Sequence, residues 1–292
     1  MTTFQEALLA WTDAGGGWRD LPWRRTRDPW AVLVSEVMLQ QTQVARVVPR
    51  WAEFLARFPN PVSCAAAPVA EVIGCWAGLG YNRRAVQLHR AAVAVVELHG
   101  GRLPSTLAEL RSLPGIGPYT ARAVLAFAFE DAVGVVDTNV ARVLARAVAG
   151  RRLSAREAQE AADAVVPGPP SGRSWRWNQA MLDLGAGHCA ALARCDGCPL
   201  RQAGCAWAAA GFVSPDPAVG SALVSGRQSR FAGSDRQGRG RLVRALRAGP
   251  LTRESWPGAA GWPGDAARAE RAAISLVDDG LAVLVGEALS LP

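Results

Sequence analysis

The sequence predicts an all-α protein of two helical subdomains, followed by a small α/β tail. Three observations lead there. Apolar residues recur at helical spacing through most of the chain, broken by Gly and Pro, with no strand-like alternation in the first half. A Gly-x-Gly turn, Leu113-Pro114-Gly115-Ile116-Gly117-Pro118-Tyr119, joins two such helical patterns. After Cys205 the composition shifts to Gly, Pro, Ser and Val, which predicts a linker over 211–228 and a separate terminal unit over 229–292.

Residues 4–13 read as a short amphipathic helix. A loop rich in Gly, Trp and Arg follows, up to Trp30. Asp28-Pro29 is a helix start, Asp as N-cap and Pro at the first position. The helix running on to Thr42 is apolar on nearly all sides, so it is expected to be central and buried. Helical patterns continue at 44–57, 68–76, 83–99 and 105–112, punctuated by Pro59-Asn60-Pro61, Gly78-Leu79-Gly80 and Gly100-Gly101. After the Gly-x-Gly turn come helices at about 118–129 and at 138–149, the latter closed by Gly150. Two more fall at 155–166 and 174–187, around a loop at 167–173. The tail holds a basic stretch, a helix near 264–279 and a hairpin turning at Gly286-Glu287.

Length and composition narrow the function. A chain of 292 residues suits two domains, and 50% apolar residues with a mean hydropathy of +0.07 describe a globular protein. No apolar run approaches the roughly 18 residues of a membrane span. The start, Met-Thr-Thr-Phe-Gln-Glu, has no charged leader or cleavage site, so a cytoplasmic, nucleoid-associated protein is expected. The net charge of +7 and pI near 9.8 point to a polyanionic partner. All 32 basic residues are arginine, so no lysine can form a Schiff base.

Glu36 lies inside Val32-Leu33-Val34-Ser35-Glu36-Val37-Met38-Leu39. Desolvation there should raise its pKa and suit it to act as a general acid. Asp137 precedes the helix at 138–149, where backbone N–H groups and the helix dipole should lower its pKa. Read alone, Glu36 could be a buried carboxyl satisfied by an arginine, and Asp137 an ordinary cap. Together, two carboxyls pushed in opposite directions suit glycosidic cleavage: one protonates the leaving group, the other stabilises a cationic sugar.

Cys189, Cys195, Cys198 and Cys205 are spaced C-x5-C-x2-C-x6-C, a set that could hold a [4Fe–4S] cluster or zinc. Cys198-Pro199 and the single CxxC favour iron–sulfur. The Gly-x-Gly turn opens a helix whose N–H groups suit a phosphate oxygen. Trp18, Arg19, Trp23, Arg24, Arg25 and Arg27 combine stacking surfaces with guanidinium groups; a Trp-anchored packing loop is the plainer alternative. Gln40, Gln41 and Tyr81 follow a helix or a Gly turn and could enter a base stack.

Taken together, these segments resemble the helix-hairpin-helix DNA glycosylases of the endonuclease III superfamily, and within it the adenine DNA glycosylases of the MutY type. The resemblance covers about residues 5–210. It rests on LPWR (21–24), SEVMLQQTQV (35–44), GLGY (78–81), LPGIGPYTA (113–121), VVDTNVARVLAR (135–146), WNQAMLDLGA (177–186) and the cysteines.

The resemblance implies a six-helix barrel subdomain over 25–135 with the hairpin at about 107–129. Residues 1–24 and 136–210 would form an iron–sulfur subdomain holding one [4Fe–4S] cluster. It implies removal of adenine from double-stranded DNA, where adenine is mispaired with 8-oxoguanine or guanine, at the start of base excision repair. Glu36 matches the acid that protonates adenine N7 and Asp137 the carboxylate at the sugar C1′. Tyr119 and Asn139 match residues positioning that centre. Trp23, Arg24 and Asp183 would lie near the adenine. Arg19, Gln40, Gln41, Thr42 and Tyr81 would contact the substrate DNA, and the hairpin backbone at Gly115 and Gly117 would hold a phosphate. The protein would be a monomer, with downstream repair proteins as further partners.

Three departures sharpen this reading. Strand-cutting relatives carry lysine where Tyr119 stands, so a monofunctional glycosylase is expected. The family's cysteine spacing is C-x6-C-x2-C-x5-C, one residue different in each outer arm. The tail is too short for the Nudix-like domain of many members; it is similar to the shortened tail of actinobacterial relatives and is expected to be winged-helix-like and to bind DNA. Three other readings compete. A thymine or uracil mismatch glycosylase needs the acid less, since thymine leaves as an anion. A non-catalytic mismatch-binding or redox-sensing protein would not require both carboxyls. A metal-containing transcription regulator leaves the hairpin and Glu36 unexplained.

Overall fold

A computed structural model describes residues 2–168, 172–224 and 230–292. Part of the expected linker, 225–228, the first residue of the expected tail and the centre of the 167–173 loop lie outside the described residues. The helices are α1 Thr3–Asp13, α2 Pro29–Leu39, α3 Val44–Arg57, α4 Pro61–Ala65, α5 Val69–Cys75, α6 Arg83–His99, α7 Leu107–Ser112, α8 Pro118–Ala128, α9 Thr138–Val143, α10 Ala155–Val165, α11 Arg173–Gly187, α12 Ala206–Ala209, α13 Asp235–Leu246, α14 Trp256–Ala260 and α15 Ala266–Asp278. Three short strands, β1 Leu251–Thr252, β2 Val283–Val285 and β3 Ala288–Ser290, form an antiparallel sheet in the order β1-β3-β2. No helix among the described residues is long and apolar enough to cross a membrane.

Most expected helices form, and the differences have local causes. The buried helix stops at Leu39 instead of running to Thr42, because Gln41 turns left-handed at φ 56°. Residues 61–65, expected as loop, make a helical turn: Asn60 accepts from the Ser63 amide, Ser63 returns the bond, and Pro61 pre-sets the first position. The helix expected over 138–149 is regular only to Val143. Leu144–Ala149 widens into a π-turn before Gly150 closes it at φ 64°. In the tail, β2 and β3 meet across Gly286-Glu287 as expected, with Leu284 opposite Leu289. β1 and α14 are additions.

The chain forms two compact units. One contains Met1–Pro29 and Gly117–Arg227, the other Trp30–Ile116 and Gln228–Pro292. These divisions differ from the expected borders at 24 and 135, and the terminal residues join the six-helix unit instead of standing apart. Polar contacts explain the second difference. Arg247 donates to the Ile73 carbonyl at 2.9 Å, and Arg83 pairs with Asp279 at 3.4 Å.

The unit holding Asp137 packs Leu8, Val140, Val143, Leu144, Trp177, Met181 and Leu184 into one core. The unit holding Glu36 is built on Trp30, Leu33, Phe54, Phe58, Ile73, Trp76 and Leu88, with Phe54 5.0 Å from Phe58 and 6.0 Å from Trp76. Each such side chain contributes about 1.5–3 kcal/mol by leaving water. Trp30 Nε1 donates to the Phe58 carbonyl at 2.9 Å, so its one polar atom is satisfied.

Candidate active site and nucleic-acid groove

In the six-helix unit, α2 holds Glu36. Every residue from Trp30 to Met38 is buried, and Glu36 itself is only 5% exposed. One half-buried arginine organises the end of this helix. Arg84, near the start of α6, donates from Nη1 to the carbonyls of Val37, Met38 and Gln40 at 2.8, 2.8 and 2.6 Å. From Nη2 it reaches Thr42 Oγ1 at 2.9 Å, Gly80 O at 3.0 Å and Leu79 O at 3.5 Å. Helix ends leave carbonyls unpaired, and a cation there also complements the dipole. Arg84 thereby ties the Gln40-Gln41-Thr42 turn to the Gly78-Leu79-Gly80-Tyr81 turn. Burial lowers its pKa to about 10, still well above neutrality, so the guanidinium stays charged.

Both turns present a residue in the left-handed region, Gln41 at φ 56° and Tyr81 at φ 48°. Such backbone costs about 1–3 kcal/mol for a residue with a side chain and persists when its surroundings over-determine it. Arg84 supplies those surroundings, and its guanidinium lies 5.6 Å from the Tyr81 ring centre. Gln40, Gln41, Thr42, Tyr81 and Gly115 line one groove of about 990 Å³. Gly115 is required twice over: its φ is +75°, and a Cβ would come within 2.6 Å of Gln87 Cβ. Gly117 is extended and opens α8 with no side-chain cap of its own. Tyr119 sits half-buried in the first turn of that helix.

In the other unit, Asp137 caps α9. Its Oδ1 accepts from the Val140 amide at 2.8 Å and its Oδ2 from Asn139 Nδ2 at 2.7 Å. Asn139 is held in turn by Arg142, whose Nη2 reaches Asn139 Oδ1 at 2.7 Å and Gly185 O at 2.9 Å, while its Nε reaches Cys189 O at 2.9 Å. A continuous polar chain thus runs from the first cysteine to the carboxylate. Gly185 makes it possible: a Cβ there would lie 2.6 Å from the Asn139 carbonyl. Asn178 fixes the approach to Asp137, accepting from the Val135 amide at 3.0 Å and donating to Val133 O at 3.0 Å.

The expected pKa direction for Asp137 is corrected here. Its carboxyl is raised, not lowered: burial outweighs the Val140 amide, the Asn139 contacts and the Arg142 charge. The expectation counted the helix start and not the protein around it.

The Trp/Arg loop divides: Trp18, Arg25 and Arg27 are exposed and Arg19 half-buried, whereas two of its residues pack inward. Trp23 and Arg24 are buried, and Arg24 lies over Trp18 at 4.8 Å. The cause is Asp183 on α11, whose buried carboxylate takes both Arg24 Nη atoms at 2.8 Å and Arg19 Nε at 2.6 Å. A buried carboxylate draws guanidinium groups inward because an unpaired charge there is far costlier.

Cys189, Cys195, Cys198 and Cys205 are free thiols that line one small cavity, with Leu200, Trp207 and Arg146. Burial pushes Cys189 up to about 11, opposed by Arg146, whose Nη1 lies 3.6 Å from its sulfur. Arg146 also pairs with Asp216 at 2.6 Å and donates to Ala190 O at 2.7 Å, so it pins the cysteine loop. The donor set fits a thiolate-bound group in kind. The cavity is small, about 20 Å³, and no set of three ligands stands at metal-binding geometry among the described residues.

Sequence reasoning missed Arg84, Arg142, Arg146 and Asn178. Arginine on a helix reads as a solvated residue, and only the carbonyls it meets reveal otherwise.

A hairpin of two helices around a Gly-x-Gly turn, with a capped carboxylate downstream and four clustered cysteines, defines a class of base-excision DNA repair proteins. The family described as "HhH-GPD superfamily base excision DNA repair protein" matches residues 34–167. Adenine DNA glycosylase of Mycolicibacterium smegmatis is 43% identical over 94% of this chain and 90% of its own. The Homo sapiens adenine DNA glycosylase is 42% identical over 69% of this chain and 39% of its own. Among solved structures, a thermostable thymine-DNA glycosylase matches with a TM-score of 0.63 at 28% identity, over 71% of this chain and 95% of that one. The chain belongs to the adenine DNA glycosylase family.

Proposed function

We propose that this protein is a monofunctional DNA glycosylase that hydrolyses the N-glycosidic bond of adenine mispaired with 8-oxoguanine or guanine. The observation that carries the reading is the built carboxylate: Asp137 is half-buried and oriented by Val140 and Asn139, in a chain 43% identical to an adenine DNA glycosylase. Extruding a base costs a few kcal/mol, least at a mispair, so mispairs are favoured before any chemistry.

Glu36, protonated, donates its proton to adenine N7, and the C1′–N9 bond breaks with its electron pair leaving on the neutral base. The sugar becomes cationic at C1′. Asp137, ionised, faces that charge; a carboxylate kept from water is worth more to a cation than an exposed one. Water then adds to C1′ and gives up a proton, leaving an abasic site and free adenine. Tyr119 and Asn139 position the centre, and Asp183 with Arg19, Trp23 and Arg24 shapes its border. Gln40, Gln41, Thr42 and Tyr81 contact the DNA, with a phosphate on the hairpin backbone at Gly115 and Gly117. No lysine is present for strand cleavage. The four cysteines would hold a [4Fe–4S] cluster, and the cluster would supply rigidity to the loop that Arg142 and Arg146 grip. We read the protein as a cytoplasmic, nucleoid-associated monomer that hands its product to downstream repair proteins, and its tail as winged-helix-like.

The test is single-turnover base release from duplexes with A:8-oxoG, A:G, T:G or U:G, each with and without alkali. Alkali-dependent breaks at adenine, absent from Glu36→Gln, are expected. Release at T:G or U:G alone would shift the assignment to a pyrimidine mismatch enzyme, and strand breaks without alkali would remove the monofunctional claim. Iron content and visible absorbance test the cluster.

A further inference from the structure

The groove that holds Gln41 and Tyr81 has a third wall, from the C-terminal residues of the same unit. Phe231, Arg236, Arg239, Val243, Leu276 and Leu281 line it together with the two turns and the hairpin edge. Its floor is apolar, with Leu88 and Ile116 beside those terminal aliphatic residues. Its rim is rich in amides: Gln40, Gln41, Gln43, Asn82 and Gln87. Arg46, Arg83, Arg84, Arg236 and Arg239 face it against one acid, Asp279. Arg239 is bound to Ser275 and Asp279, and Arg83 also pairs with Asp279, so these two fasten the tail in place.

Arg236 does something different. Its Nη1 lies 2.9 Å from the Tyr81 hydroxyl. Tyr81 is 40% exposed and Phe231 57% exposed, two aromatic faces on one groove. Aromatic faces stack a base, amides read its edge, and guanidinium groups take its phosphate.

We propose that this groove binds one unstacked nucleobase with its phosphate, and that the C-terminal residues complete the site through Phe231 and through Arg236 on the Tyr81 hydroxyl. The inference rests on the glycosylase reading for the source of that nucleotide, a mispaired duplex. Tyr81 is held at both ends, by Arg84 beneath its backbone and Arg236 at its phenol. The tail therefore acts on mispair recognition through a contact, and not merely by adding positive charge.

The test uses the full chain and a duplex carrying 2′-fluoro-adenosine, which resists cleavage, opposite 2-aminopurine. The wild type should bind this duplex more tightly than a fully paired one and raise 2-aminopurine fluorescence as the base unstacks. Arg236→Ala should weaken mispair binding about tenfold, the scale of one lost stacking or charged contact, and reduce the fluorescence change. Binding to paired DNA should change by less than about twofold, since a base that stays paired and stacked does not enter the groove. Arg236→Lys should recover part of the loss. Phe231→Ala, at an exposed position, gives the same readout if Arg236→Ala melts early. Equal losses on both duplexes, or no loss in either variant, would overturn the proposal. Wild-type base release from A:G and A:8-oxoG, measured alongside, tells failure of the glycosylase reading apart from failure of the groove.

Discussion

The helix that carries Glu36 is held by packing, whereas the turn that carries Asp137 is held by hydrogen bonds. Along the Glu36 helix, Trp30, Leu33, Val34, Val37 and Met38 are all buried. Around Asp137 lie Val140 N, Asn139 and, through it, Arg142, Gly185 and Cys189. Packing is non-directional and spreads a loss over many contacts. A polar chain is directional, and breaking one link leaves its buried neighbours unsatisfied. The first arrangement keeps a carboxyl from water by packing; the second orients one by hydrogen bonds.

The comparison is broken most severely by removing the carboxyls themselves. Glu36→Gln and Asp137→Ala should each lower single-turnover base release by about 10²–10⁴-fold, the range for positioned acid and electrostatic groups, with folding kept. Thermal melts beside the rate measurement separate the two effects.

Substitutions one step away should then diverge. Leu33→Ala should cost about 2–5 kcal/mol of stability, read by urea unfolding. Its rate at saturating DNA should fall far less than that of Arg142→Met. Arg142→Met strands Asn139 Oδ1 and the Gly185 carbonyl, each worth about 1–3 kcal/mol when buried and unpaired, while the Cys189 carbonyl keeps Arg146. Release should drop by about tenfold or more as Asp137 loses its aim. If both variants lose rate in proportion to stability, the distinction fails.

Gly185→Ala comes next. The added methyl meets the Asn139 carbonyl, and overpacking of this kind costs about 1–3 kcal/mol. Its rate loss should resemble that of Arg142→Met, because the same asparagine moves.

The smallest effect lies along pH. Burial raises Asp137 in the folded protein above its unfolded value near 3.8. Between those two values the native state binds the extra proton, so this residue's contribution to stability falls as pH rises through that window. Activity should run the other way, since the proposed reaction needs the carboxylate. Opposite slopes of melting temperature and base release on the acid side are expected, and Asp137→Ala should flatten the first.

Much of this was legible in the residues. Periodicity and caps placed α3, α6 and α8 within a residue or two, because those helices obey local rules. The Gly286-Glu287 hairpin was legible for the same reason, as was the convergence of four cysteines. What escaped was set by partners distant in sequence. Asp137 reads as a cap and is one, but its pKa depends on how deeply α9 is buried. Arg24 reads as a surface group until Asp183, far along the chain, takes it. α4 is a single turn beside two prolines, and β1 has two residues, too few for any period to register.

Arg84 has a consequence for how this chain can change over generations. Surface loops ordinarily accept inserted residues with little penalty. Here the turn after α2 and the turn before α6 hang from the same guanidinium, so their lengths are fixed jointly. Lengthening either one pulls its carbonyls off Arg84 and releases the other as well. The two turns should behave as a single heritable part, altered together or left alone.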